Sequence, residues 1–210
     1  TEAFMNNAGR QGVEGDSLEV LRDRMEEHLQ SFYPPRTWVN EIRCSLLDDC
    51  LAASSQQPGV FSLTAPTGSG KTWGLLRFAL NHACSRAKPM RRVICAIPYT
   101  SIIEQNAQEY RRVLGAENVL EHHSSFDYGE SDDPKDLGYR LRLAAENWDA
   151  PVVVTTNVQL FESLYASKTS RCRKLHNIAN SVILLDEAQM IPVKCMKPCV
   201  KALSELVNNY

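Results

Sequence analysis

One string of eight residues, Ala65-Pro66-Thr67-Gly68-Ser69-Gly70-Lys71-Thr72, constrains this chain more than any other feature. A triphosphate crowds several negative charges together, so a protein that holds one must bring many short donors to one place. Only a backbone nearly stripped of side chains brings its amides that close, and Gly68 and Gly70 meet the need. The amides of Thr67, Gly68, Ser69, Gly70, Lys71 and Thr72 can then line a nest at the start of a helix, with the positive helix end behind it. In this reading Lys71 reaches the terminal phosphates and Thr72 holds magnesium. The apolar run before it, residues 60–64, predicts a buried strand feeding the turn. The strict pattern starts with Gly where this chain has Ala65.

A length of 210 residues allows one large domain with a sizeable core. A formal charge of -2 argues against holding nucleic acid through a bulk positive field, so any such binding must use local groups. The seven cysteines are scattered through apolar patterns and read as reduced core residues of a cytoplasmic protein. Cys195 and Cys199 could make half a metal site, but no second pair lies near them in sequence. No apolar stretch is long enough to span a bilayer and the first residues do not read as a basic-then-apolar leader, so no membrane partner is expected. The first residue is Thr, as expected of a piece cut from a longer polypeptide.

The periodicity predicts helices over 18–32, with Leu18, Leu21, Met25 and Leu29 inward, and over 38–53, with Val39, Ile42, Leu46, Leu47 and Leu51 inward. Strands at 60–64, 92–97, 151–155 and 181–185 then alternate with helices at 71–87, 101–114, 134–148 and 158–167. A brief strand is possible at 118–121, followed by a polar surface loop over 122–133, and a last helix spans 193–208. Short apolar strands between helices predict an α/β fold with a mostly parallel sheet and helices on both faces. The expected division is a linker and N-terminal helix over 1–37 and one nucleotide-binding lobe over 38–210, truncated at its C-terminal end.

The strand 181–185 delivers Asp186 and Glu187 to its C-terminal end, the end of a parallel sheet where ligands sit. Asp186 is placed to complete an oxygen shell around magnesium opposite Thr72. Glu187 is placed to orient and deprotonate the attacking water. Gln189 can donate and accept at once, so it can pass the state of the phosphates to neighbouring elements. These assignments make Lys71, Asp186, Glu187 and Gln189 the catalytic candidates, with ATP and Mg2+ as cofactors.

Asp186-Glu187-Ala188-Gln189, the phosphate loop, the segments opening at Ile97-Pro98-Tyr99-Thr100-Ser101 and at Thr155-Thr156-Asn157, and the strings Glu121-His122-His123-Ser124 and 175–180 together resemble the helicase-nuclease of type I CRISPR interference. The similarity spans roughly residues 40–192 and implies the first RecA-like lobe of a superfamily-two helicase. It implies an ATP-driven motor moving 3′ to 5′ on single-stranded DNA, recruited by an RNA-guided surveillance complex, with a second motor lobe and an HD nuclease that this sequence does not contain. Without those parts the chain alone is expected to bind nucleotide better than it turns it over. The resemblance places Thr100, Ser101 and Gln105 in one DNA-tracking segment and Thr156 and Gln159 in another. Hydroxyls and amides suit such a task, because a motor grips phosphates rather than base edges.

Helix capping by Thr100 and Ser101 would account for those two residues without nucleic acid. Lys168, Arg171, Arg173 and Lys174 could touch phosphates, although a solvated face explains them better. His122 and His123 lack a ligand partner at a recognised spacing, so a loop or capping role is favoured. Asn40 and Arg43 lie upstream of the loop where helicases often recognise adenine, and a helix surface is an equal account. Two alternatives stay open from the residues: a nucleotide-binding docking lobe without motor activity, and an RNA helicase lobe.

Overall fold

The computed structural model describes residues 15–85, 90–129, 133, 135–165 and 173–209. Four strands, β1 (Arg92–Ile97), β2 (Val119–His122), β3 (Val152–Thr156) and β4 (Ser181–Leu185), form one sheet in the order β2-β3-β1-β4. Every pairing is parallel, with Ile97 opposite Thr156 and Ala96 opposite Leu185. The C-terminal ends of β1, β3 and β4 therefore share one edge.

The helices are α1 (Leu18–Gln30), α2 (Trp38–Ser54), α3 (Lys71–Cys84), α4 (Thr100–Leu114), α5 (Leu137–Asn147), α6 (Asn157–Leu164), the single turn α7 (Leu175–Ile178) and α8 (Val193–Asn209). Side chains alternate along each strand, so Val93, Cys95 and Ile97 face one core with α1, α3 and α4. Ile94 and Ala96 face a second core with α5 and Trp148. A sheet covered on both faces explains why all six residues of β1 are buried and apolar except Arg92. Leu76 and Leu80 of α3 are fully buried, each contributing about 1.5–3 kcal/mol by leaving water.

The N-terminal helices are bound to this frame. Ser17 and Thr37 accept amides of their own first turns, fixing where α1 and α2 begin. Leu18, Leu21, Met25 and Leu29 all enter the core as the periodicity requires. Arg77 of α3 is buried and binds Glu26 of α1 at 2.7 Å and Asp48 of α2 at 3.2 Å, while Tyr33 donates to the same Asp48.

Three expectations need correction. Residues 60–64 are not a strand: they pair with none of the four, and Val60 is 80% exposed. Phe61 instead packs on Phe78 and His82 of α3. An apolar run has strand propensity, but a strand exists only where a neighbouring ladder accepts its amides. Ile42, expected inward on α2, is 45% exposed, because α2 turns Cys44 and Cys50 to the core beside the expected Leu47. The polar stretch after β2 is not wholly surface either, since His123 is buried. The expected helix ends at Ala87, Pro134 and Ser167 lie outside the described residues.

Candidate nucleotide site and nucleic-acid edge

Gly68 and Gly70 adopt left-handed conformations, with φ of 77° and 87°. A side chain there would be strained, so this turn requires glycine at both positions. Gly70 caps α3 and leaves the amides of the first helical turn facing the loop mouth. Ser69 departs from the expected nest, because its amide donates to the Pro66 carbonyl at 3.4 Å and its hydroxyl to the same oxygen at 2.7 Å. The remaining amides, of Thr67, Gly68, Gly70, Lys71 and Thr72, are the ones left for an anion. Thr67 and Gly68 are exposed.

The acidic pair arrives across β4. The Asp186 amide donates to Ala96 at 2.9 Å, carrying the ladder one residue past the strand. Asp186 and Thr72 line the same narrow cleft, floored by Cys95, Ala96, Ile97 and Tyr110. A hydroxyl and a carboxylate on one cleft are a donor set suited to a hard dication such as magnesium. Burial pushes the Cys95 thiol up to about 12 and the Tyr110 phenol well above its usual value, so both stay neutral beside Asp186.

Lys71 Nζ lies 3.8 Å from Glu187 Oε1. Gln189 donates its amide to the other Glu187 oxygen. Glu187 itself sits at φ 48°, ψ 47°, a left-handed conformation that costs a residue with a Cβ about 1–3 kcal/mol and often marks functional sites. The sharp turn lifts the carboxylate off the line of β4 and toward the helix that starts at Lys71.

The nucleic-acid candidates meet on the same edge. Thr100 and Ser101 open α4 and are exposed, and Tyr99, the capping residue, makes no side-chain cap bond. Neither Thr100 nor Ser101 is the capping residue, and among the described residues neither hydroxyl forms a hydrogen bond. Gln105 is exposed one turn on. Thr156 is the last residue of β3 and caps α6, its hydroxyl accepting the Gln159 amide at 3.0 Å. Only its remaining lone pair and proton are left for a ligand.

His122 and His123 have partners that spacing did not disclose. His123 Nε2 lies 3.1 Å from Glu121, whose other oxygen accepts from Arg111 at 2.8 Å. Residue 123 lies just past the end of β2, two positions from Glu121, and extending the strand period by one residue could have suggested the pair. Lys174 Nζ donates to His122 Nε2 at 3.2 Å and rests on the Trp148 ring at 4.7 Å. The solvated face expected for Lys174 is thus incorrect, since it is buried; Arg173 pairs with Glu146, and Lys168 and Arg171 lie outside the described residues. Burial, with Lys174 adding to it, lowers His122 to about 4. Arg43, left open between nucleotide contact and helix surface, donates Nε to the Gly68 carbonyl at 3.1 Å.

A parallel sheet covered on both faces, with a glycine phosphate loop and an acidic pair on one edge, defines a RecA-like nucleoside-triphosphate-binding lobe. Residues 46–209 match the DEAD/DEAH box helicase family, and the chain belongs to that family. Over 177 residues it is 31% identical to the CRISPR-associated nuclease/helicase Cas3 of Haloferax volcanii, covering 76% of this chain and 19% of that protein. Two crystal structures of T. fusca Cas3 are similar in fold. The AMPPNP complex has a TM-score of 0.63 at 21% identity, covering 85% of this chain and 21% of the other. The ATP complex has 0.62 at 23%, covering 84% and 20%. The chain thus spans about a fifth of the relatives it matches and corresponds to a Cas3-like helicase lobe. No helix among the described residues is long and apolar enough to cross a membrane.

Proposed function

We propose that this chain is the ATP-binding first lobe of a motor that translocates 3′ to 5′ on single-stranded DNA in CRISPR defence. The observation that carries the reading is the convergence of two sequence-distant segments: Thr72 and Asp186 line one cleft, and Lys71 reaches Glu187. The names of the similar T. fusca structures, complexes with AMPPNP and ATP, favour adenine nucleotides as the ligand.

In this reading the loop amides and Lys71 bind the β and γ phosphates, and Thr72 with Asp186 would hold Mg2+, whose charge offsets that of the phosphate oxygens. Arrival of the γ phosphate draws Lys71 from Glu187. The freed carboxylate orients a water, takes its proton as the oxygen bonds to the γ phosphorus, and ADP leaves as the bridging bond breaks. Gln189, bonded to Glu187, senses that change. Thr100, Ser101, Gln105, Thr156 and Gln159 hold the DNA backbone on the same edge. An RNA-guided surveillance complex, a second lobe and an HD nuclease would be the partners.

ATP hydrolysis by the complete polypeptide, measured alone, with single-stranded DNA and with single-stranded RNA, tests the proposal. Stimulation by DNA only supports it. Stimulation by RNA makes the lobe part of an RNA helicase, and no stimulation makes it a docking lobe without motor activity.

A further inference from the structure

Gly74 lies one turn into α3, where an added Cβ would meet Cys50 Sγ at 3.1 Å and Leu46 at 3.7 Å. Its bare backbone lets α2 run close along α3. Residues 43, 46 and 50 share a face of α2, being three and four apart, so the same approach carries Arg43 to the start of α3. There Arg43 Cγ lies 3.6 Å from the position of a Cβ on Gly70, and Nε donates to the Gly68 carbonyl. Among the described residues the terminal guanidinium nitrogens form no further bond.

Gly68 stands in open space, with nothing within 4 Å of where its Cβ would be. Packing does not hold its left-handed conformation. A glycine free on all sides has much conformational freedom to lose when it closes on a ligand. A charged donor on its carbonyl removes part of that freedom beforehand. The donor is itself anchored, because α2 is tied to α3 by the Arg77 and Asp48 pair.

We propose that Arg43 is a positioning residue for the phosphate loop: by holding the Gly68 carbonyl outward it keeps the loop shaped for a nucleoside polyphosphate before one arrives. The inference rests on the reading of this loop as the nucleotide site.

Fluorescent ATP and ADP analogues titrated onto the complete polypeptide, with steady-state ATPase alongside, test it. Arg43→Ala is expected to raise both dissociation constants and the KM for ATP about tenfold, with kcat within twofold and the melting temperature unchanged. Arg43→Lys keeps a charged donor and is expected to recover most of that loss. Wild-type binding in Arg43→Ala overturns the inference, as does a loss confined to kcat or one that follows a lowered melting temperature. Lys71→Ala separates the two layers. If it leaves nucleotide binding intact, the loop is not the site; if it abolishes binding while Arg43→Ala binds normally, only the role of Arg43 falls.

Discussion

Replacing Glu187 with Gln separates nucleotide binding from hydrolysis, and the geometry sets the size of each effect. The Lys71–Glu187 pair is 3.8 Å long with both side chains partly exposed, so it is worth about 0–1 kcal/mol. Binding must break that pair before Lys71 can turn to phosphate. Removing the carboxylate charge therefore leaves ATP affinity unchanged or tightens it, by up to about fivefold. Gln keeps an oxygen to accept from Gln189, so the turn after β4 survives. Turnover behaves oppositely, because an amide cannot take the proton of water, and it is expected to fall about 10²- to 10⁴-fold. The assay is equilibrium binding of a fluorescent ATP analogue beside single-strand-stimulated ATPase, each across a salt series. The affinity gain should fade toward about 1 M salt, where the screening length is ~3 Å. Weakening of ATP binding by more than about tenfold, or retained turnover, would refute the roles given to Lys71 and Glu187.

Met25→Ala, emptying a fully buried site on α1, is expected to cost about 2–5 kcal/mol in chemical denaturation; a loss under about 0.5 kcal/mol would mean that α1 is not part of the folded unit. His122 is held to about 4 in the fold against 6.5 unfolded, so the unfolded chain binds more protons between those values. Its stabilising share is complete above about pH 6.5 and is lost toward pH 4, by up to about 1.4 kcal/mol per unit. Denaturation at pH 7 and pH 5 should show that slope, flattened in His122→Gln; equal slopes would deny the buried neutral imidazole. The double change Thr100→Ala with Ser101→Ala should weaken single-stranded DNA binding about tenfold regardless of sequence, with ATP affinity unaltered. Fluorescence anisotropy decides it, and undiminished binding would take these hydroxyls off the DNA path.

Local pattern carried much of this fold. Leu18, Leu21, Met25 and Leu29 repeat at helical spacing and are buried as a set, and the run from Val182 to Leu185 is apolar because Val182 and Leu184 are buried on one face of the sheet and Ile183 and Leu185 are partly buried on the other. Gly68 and Gly70 were legible because no other residue accepts their backbone angles easily. What stayed hidden depends on partners far along the chain. Val60 and Phe61 look like a strand in isolation, yet a strand needs a neighbour and Phe61 finds α3 instead. Lys174 reads as one charge of a basic run, and only the fold brings it to Trp148 and His122. Sequence named Lys71 and Glu187 singly, while their pairing needed the left-handed turn at Glu187.

The central claim is that Thr72 and Asp186 serve one ion beside a nucleotide held by the loop. A crystal structure of the complete polypeptide with Mg2+ and a non-hydrolysable ATP analogue measures this directly. The account predicts the ion between the Thr72 hydroxyl and the Asp186 carboxylate, bound directly or through water, with Lys71 moved from Glu187 onto the phosphates. An analogue bound away from residues 67–72, or an ion that leaves Asp186 unengaged, would contradict it.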